Sequence, residues 1–172
     1  FEALAMKPNE LPRREVTLAN GLRVVLVPHE AVHRAVASLY LRVGSRFETK
    51  EDNGVSHFLE HMLFRGTSTL ASAHEEALAF ERLGGTLFAA THVDHGLMSV
   101  SVPPHNLGPV LRLLGEVTTS PRFADIEIER GIVHEEILED LDDEGRMIDA
   151  DNLVRKLMYD EHPLGLTITR GL

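Results

Sequence analysis

The β-rich runs of this sequence come in pairs separated by short polar turns, and this pairing constrains the fold more than any other feature. Asn20-Gly21, the strongest short hairpin signal, separates residues 14–18 from residues 22–27. Later in the chain, residues 86–92 and 96–102 flank another short polar turn. Because a tight hairpin joins antiparallel strands, we expect a mostly antiparallel sheet.

Helical patterns occupy most of the remaining chain. An apolar run at residues 35–43 is compatible with a third buried strand. Apolar residues at helical spacing start at Val55 and stop at Gly66, and similar patterns predict helices over 72–83, over 106–118 and, as two helices, within 124–159. The predicted fold class is α+β: one domain, residues 1–172, in which helices pack on a mostly antiparallel sheet.

Composition excludes several classes of function. The chain has 17 basic and 27 acidic residues, a formal net charge of −10 at pH 7, and no stretch rich in lysine or arginine, so we expect no nucleic-acid partner. Its longest aliphatic run, residues 24–27, is far shorter than the roughly 18 residues that a membrane helix needs, so no membrane span is expected. It has no cysteine, so any metal must be held by histidines and carboxylates.

The predicted first helix contains two histidines four residues apart, His57 and His61, with Glu60 between them. Positions i and i+4 lie about 40° apart around a helix axis and one turn apart along it, so both imidazoles can reach one ion. The apolar stripe that begins at Val55 points to the other side and is expected to face the core. Nitrogen and carboxylate ligands suit zinc, so the pattern predicts a zinc site rather than a merely polar helix face.

Residues 54–67, which read GVSHFLEHMLFRGT, resemble the signature of the inverzincin zinc metallopeptidases. This family includes pitrilysin, insulin-degrading enzyme and the processing peptidases of mitochondria and bacteria. The resemblance covers most of the chain and is to the N-terminal, zinc-bearing unit of a bacterial-like member. It implies that His57 and His61 bind zinc, that Glu60 is the general base, and that a glutamate on a later helix is the third ligand.

In that family the third ligand ends a Glu-x6-Glu pattern, and residues 129–136 match it. The resemblance therefore implies Glu136 as the metal ligand and Glu129 as a supporting acid of the catalytic site. Two residues seven positions apart on a helix are about 20° short of two full turns, so both carboxylates can address one site. Glu135 is the rival ligand, but only Glu136 keeps the family spacing.

Residues 84–91 resemble the strand that edges the active site in the family, where substrate binds by strand addition. Phe88 stands where the family often has asparagine. The resemblance implies that Phe88 and Ala89 contact substrate. The phenylalanine in place of asparagine at residue 88 is expected to affect these substrate contacts more than zinc binding.

Subunits of the family are built from tandem copies of this α/β unit, and a later copy supplies side chains to the substrate. We therefore expect a missing C-terminal unit or a partner chain to complete the active site. The chain begins with phenylalanine rather than methionine, which suggests a trimmed piece, and its first 12 residues show no signal-peptide or transit-peptide pattern. The sequence does not indicate the compartment: a soluble protein is expected, in the cytoplasm or periplasm if the source is bacterial.

The predicted function is a zinc-dependent endopeptidase of the inverted His-x-x-Glu-His type, acting on peptides or unfolded proteins. The alternative is a non-catalytic subunit that keeps the fold to bind peptides or to scaffold a complex. A structural metal site is a third interpretation, but such a site has no need of Glu60. Five other residues are expected to be polar groups of turns and helix surfaces rather than ligands: His92, Asp94, His95, His134 and His162.

Overall fold

The computed structural model describes residues 12–169, and the chain divides into two compact units, residues 1–34 and residues 35–172. The expectation that residues 1–172 form one zinc-binding domain stays a prediction. Residues 1–11, which make up most of the segment where we expect no targeting peptide, lie outside the described part of the chain.

The first unit contains a hairpin of two short strands, β1 (Arg14–Thr17) and β2 (Arg23–Leu26). They pair antiparallel along their whole length. Gly21 in the connecting turn has a φ of 87°, a backbone conformation that glycine adopts without steric cost. The hairpin predicted from Asn20-Gly21 is confirmed.

The second unit is built on a three-stranded antiparallel sheet, and its strands are β3 (Ala35–Leu41), β4 (Leu87–Thr91) and β5 (Gly96–Val102). Their order across the sheet is β3, β5, β4, so β4 lies at one edge. β3 ends two residues before the boundary predicted from the sequence.

Five helices form within residues 12–169, in the predicted order. They are α1 (Val55–Leu63), α2 (Ala73–Arg82), α3 (Leu107–Thr119), α4 (Ile126–Glu139) and α5 (Ala150–Tyr159). Short 3-10 turns occur at Ser45–Phe47, Pro104–Asn106 and Pro163–Gly165. The fold is thus α+β with antiparallel sheets, as predicted. None of these helices is long and apolar enough to cross a membrane.

The core lies between one face of the three-stranded sheet and the helices. Alternate side chains of the strands, such as Ala37, Met98 and Val100, point into it because successive residues of a strand face opposite sides. The apolar stripes of three helices supply the opposing side chains: Leu63, Phe80, Val110, Leu114 and Val117.

Helix α1 packs against this core through its C-terminal half. Met62 and Leu63 are buried, whereas Val55 in the first turn is 53% exposed. The prediction that the apolar stripe faces the core is therefore wrong at its first residue. Val55 and Phe58 instead line a cavity of about 620 Å³ that α4 borders on its other side.

Glu76 on α2 is a buried carboxylate. It is 2% exposed, and its Oε2 accepts a hydrogen bond from the backbone N–H of Gly66 at 3.0 Å. Burial raises the pKa of Glu76 to about 7, and the nearby carboxylate of Glu116 acts in the same direction.

The wild-type protein should lose folding stability as the pH rises, and Glu76→Gln should abolish this pH dependence. Below a pH of 4.5, Glu76 is protonated in both the folded and the unfolded chain, but between 4.5 and about 7 it ionises in the unfolded chain alone. The wild type should therefore lose about 3 kcal/mol of unfolding free energy over this interval. E76Q should not, because its amide oxygen can still accept the bond from Gly66 without a charge.

Denaturant unfolding at about pH 5 and about pH 8 measures this difference. Glu81→Gln, at an exposed position of the same helix, is the control and should keep the wild-type pH dependence. An equal pH dependence in the wild type and E76Q would contradict the prediction.

Candidate metal centre

Helix α1 presents His57 and His61 on one face. Their ring centroids are 4.7 Å apart, and their Nε2 atoms are 3.3 Å apart. The i, i+4 spacing puts both side chains on the same side of the helix, and burial of Met62 and Leu63 fixes which side that is. Both imidazoles are largely buried, with side-chain exposures of 15% and 18%.

Helix α4 brings the carboxylate of Glu136 to the same point. Its Oε2 lies 3.6 Å from His57 Nε2 and 3.4 Å from His61 Nε2. We call these three residues the metal trio. Within residues 12–169, the trio is the one group of three or more His, Asp or Glu side chains whose ligand atoms lie close enough together to hold a metal ion.

The spacing of the trio fits zinc. Its three ligand atoms form a triangle with edges of 3.3, 3.4 and 3.6 Å. Two ligands that each lie 2.0 to 2.2 Å from a tetrahedral zinc ion are themselves about 3.3 to 3.6 Å apart. Three protein ligands leave the fourth position open, which is typical of catalytic rather than structural zinc sites.

Glu129 lies two turns before Glu136 on α4 and contacts His61 on the side of the ring opposite its Nε2 atom. Its Oε2 is 3.0 Å from His61 Nδ1, and its Oε1 forms an ion pair with Arg65. The Glu129 side chain is only 5% exposed, so these two partners compensate a buried charge. A hydrogen bond at Nδ1 fixes the tautomer of a histidine and leaves the Nε2 lone pair for a metal.

The Nδ1 atom of His57 is buried and, unlike that of His61, has no hydrogen-bond partner among residues 12–169. Burial lowers the pKa of His57, the neighbouring His61 adds to this effect, and the carboxylates of Glu136 and Glu60 oppose it. The lowered pKa favours the neutral imidazole, the form that can bind a metal.

Glu60 lies between the two histidines in sequence but is not a member of the trio. Its Oε2 accepts a hydrogen bond from the Thr91 hydroxyl at 2.5 Å. Because Thr91 is the last residue of β4, this bond holds the Glu60 carboxylate at the edge of the sheet. A half-buried carboxylate held in this way can take up a proton beside the trio.

The two residues predicted to contact substrate lie on opposite faces of β4. Ala89 is half-buried and shares its face with Thr91, since alternate residues of a strand point the same way. Phe88 points to the other face and is 57% exposed. The edge strand thus presents a small side chain on the face of Thr91 and a large apolar one on the other.

Two candidates on α4 do not join the trio. Glu135, the rival ligand, is exposed, and Glu136 alone of this pair approaches the histidines. His134 is also exposed and lines the cavity between α1 and α4.

The turn histidines have partners other than the trio. His92 and His95 stack at 4.5 Å between ring centroids, and His95 Nδ1 is 2.9 Å from a carboxylate oxygen of Asp94. His162 Nδ1 accepts a hydrogen bond from the N–H of Leu164 at 3.1 Å. None of these side chains belongs to a possible metal-binding group in the described part of the chain.

Sequence reasoning missed three residues that support the site: Arg65, Thr91 and Glu48. Arg65 and Thr91 stand inside the two segments that carry the family resemblance, so their position in those segments was the available signal. Glu48 gives no signal, because a glutamate in a charged loop looks like any solvated residue. Its hydrogen bonds to Gly54 and Ser56 depend on the path of the folded chain.

Comparison with known sequences identifies relatives over most of this chain. A family model described as insulinase, peptidase family M16, matches residues 23–170. The uncharacterized zinc protease YmxG of Bacillus subtilis is 36% identical over 159 residues, which cover 90% of this chain and 38% of that protein. The probable mitochondrial-processing peptidase subunit beta of Arabidopsis thaliana is 32% identical over 159 residues, or 90% of this chain and 29% of that protein. The chain thus spans less than two fifths of the length of these relatives.

Solved structures show the same fold. A protease from Helicobacter pylori superposes with a TM-score of 0.74 at 29% identity, covering 90% of this chain and 38% of that one. The inactive domain of a peptidase M16 from Pseudomonas fluorescens superposes with a TM-score of 0.79 over 94% of this chain and 39% of that one. Because the Pseudomonas fluorescens domain is only 21% identical to this chain, the superposition shows a shared fold and nothing further.

Glu136→Gln should weaken zinc binding by more than about 100-fold, because losing a ligand costs more than the 10- to 100-fold typical of losing a group that supports one. Competition titration against a chromophoric chelator measures the dissociation constant. Glu135→Gln, the adjacent exposed carboxylate, is the matched control and should bind zinc as the wild type does. Equal losses in the two variants would show that the trio is wrongly assigned.

Proposed function

Because the chain belongs to the insulinase family, peptidase family M16, we propose that it is the zinc-bearing unit of a zinc-dependent endopeptidase. One observation supports this above all: the Nε2 atoms of His57 and His61 and the Oε2 atom of Glu136 form a triangle of the size that tetrahedral zinc requires. Relatives that match 90% of the chain are named zinc proteases, which agrees with this choice of metal.

In this proposal the trio holds the zinc and Glu60 moves the proton. Zinc at this position would polarise a water molecule and the carbonyl group of the scissile peptide bond. Glu60 takes a proton from the water as it attacks the carbonyl carbon, and then gives it to the amine that leaves when the C–N bond breaks. The bond from Thr91 limits the rotation of the Glu60 carboxylate, so the same group can serve both transfers.

Glu129 has the role of orienting His61. It binds Nδ1 of the ring, and the ion pair with Arg65 balances its buried negative charge. Removing a group of this kind typically costs about 10- to 100-fold in metal affinity or activity. Glu129 therefore acts through His61 rather than on the substrate.

We propose that peptides or unfolded proteins bind along β4. An edge strand offers unpaired backbone N–H and C=O groups, and an extended peptide can pair with them as an added strand. Alternate side chains of such a peptide would lie on the face of Ala89 and on the face of Phe88. The exposed ring of Phe88 favours an apolar side chain next to it.

The complete active site is proposed to include more protein than this chain. The chain spans 38% of the Bacillus subtilis relative and 29% of the Arabidopsis thaliana relative. We propose that residues 1–172 form the first unit of a multi-unit peptidase, and that a later unit or a partner chain completes the substrate contacts.

A non-catalytic peptide-binding or scaffold unit is the second candidate function. The fold by itself is compatible with it, because the Pseudomonas fluorescens domain that has the same fold is described as inactive. The two candidates differ in whether peptide cleavage depends on Glu60.

Glu60→Gln should abolish peptide hydrolysis and leave the zinc content unchanged. The amide is similar in shape to the carboxylate but cannot act as a base, and general base catalysis is worth about 100- to 10,000-fold in rate. Cleavage of an unstructured peptide mixture, followed by mass spectrometry beside a zinc assay of the same samples, measures both effects.

Glu135→Gln is again the control and should cleave at the wild-type rate. Cleavage by E60Q at the wild-type rate would rule out Glu60 as the base. Zinc binding without cleavage by residues 1–172 alone agrees with an active site that a later unit or a partner chain completes, whereas the same result for the complete protein with that unit or partner present would favour the scaffold candidate.

A further inference from the structure

Helix α1 begins without a cap of its own. Its N-cap residue is Gly54, which has a φ of 91° and no side chain to accept a hydrogen bond, and the first turn has no acidic residue. The first N–H groups of a helix have no partners within the helix. A partner from elsewhere must bind them, at the end of α1 where His57 lies.

Glu48 supplies this partner from outside the helix. Its Oε2 accepts a hydrogen bond from the Gly54 N–H at 2.8 Å, and its Oε1 accepts one from the Ser56 N–H at 2.8 Å. Glu48 is only 5% exposed. Its negative charge at the N-terminus of α1 also interacts favourably with the helix dipole. One carboxylate thus binds the first turn of α1 at two points.

Other contacts hold Glu48 and the first turn in place. The Asn53 side chain donates hydrogen bonds to Glu48 Oε2 at 3.0 Å and to the Thr167 carbonyl at 2.9 Å. Ser56 Oγ accepts a bond from the Gly44 N–H at 2.9 Å. Gly44 lies so close to the turn between β4 and β5 that a Cβ there would be 2.2 Å from a backbone oxygen. The loop before α1 therefore has little freedom to move.

The two histidines of the metal trio depend on different supports. Glu129 holds the ring of His61 through Nδ1 at 3.0 Å. The corresponding atom of His57 has no partner in the described part of the chain, so none of these residues orients its ring through a hydrogen bond there. The backbone of the first turn must then set the place of His57 Nε2. Glu48 accepts a hydrogen bond from the N–H of Ser56, the residue directly before His57.

We propose that Glu48 is a positioning residue of the metal site: by holding the first turn of α1, it places His57 at the correct distance from the other two ligands. The inference rests on the proposed function, because it requires that the trio binds zinc. Glu48 itself touches neither metal nor substrate and acts through the backbone next to His57.

The test is Glu48→Gln, with zinc and cobalt as the probes. The variant keeps the shape of the side chain but replaces one of its two accepting oxygens by an NH₂ group, so it should lose one of the two bonds to the first turn together with the negative charge. We expect zinc and cobalt affinity to fall about 10- to 100-fold, the range for losing a group that orients a ligand. We also expect a changed absorption spectrum of the cobalt-loaded protein, since the spectrum reports the ligand geometry.

Two controls separate positioning from other effects. Glu51→Gln removes a charge from an exposed position of the same loop and should behave as the wild type. Val117→Ala destabilises the core on α3, where Val117 is fully buried, and removes none of the hydrogen bonds between Glu48 and α1. If Glu48 had only a structural role, E48Q would resemble V117A. Its metal-free form would unfold at a lower temperature, but its metal affinity and its cobalt spectrum would be those of the wild type. That result would overturn the inference.

If E48Q does not fold, Asn53→Ala decides the matter. It removes one donor to Glu48 and leaves both bonds to α1, so metal affinity should fall in the same direction by a smaller factor. Unchanged affinity in N53A would then overturn the inference. A wild-type protein that binds no zinc would overturn the proposed function together with this inference, whereas zinc binding that E48Q leaves intact would overturn the inference alone.

Discussion

Three possible ligand atoms from two helices lie within 3.3 to 3.6 Å of one another, and the proposed chemistry of this protein depends on that convergence. The helix itself sets the spacing of His57 and His61, because residues four apart share a face. The place of Glu136 depends instead on how α4 packs beside α1. A metal site tolerates little displacement of its ligands, so the rest of the unit must keep these two helices in one arrangement.

Carboxylates hold α1 at three places along its length. Glu48 binds its first turn, the bond between Glu60 and Thr91 joins its middle to the edge of the sheet, and Glu129 binds both His61 and Arg65 near its end. Two of these groups, Glu48 and Glu129, are almost completely buried. Buried carboxylates are tolerated only when they are hydrogen-bonded or paired, and each of these is. The polar contacts thus orient the ligands while the apolar side of α1 packs on the core.

Local features of this chain were predictable from its sequence, and contacts between distant segments were not. The Asn20-Gly21 hairpin, the antiparallel strands and the order of the helices follow from turn chemistry and apolar periodicity, and the structure confirms them. The exposure of Val55 was missed because periodicity gives the apolar face of a helix but not how far the core extends along it. Glu48 was missed because its partners belong to the helix that follows and become visible only once the loop is folded.

In the proposed site, His57, His61 and Glu136 together bind one zinc ion. The most direct test is the zinc content per chain of the purified protein, measured for the wild type and for His61→Ala after equilibration with zinc and removal of the unbound metal. We expect about one zinc per chain in the wild type and almost none in H61A, since two ligands do not make a zinc site. A wild-type protein without zinc, or H61A with as much zinc as the wild type, would contradict this assignment.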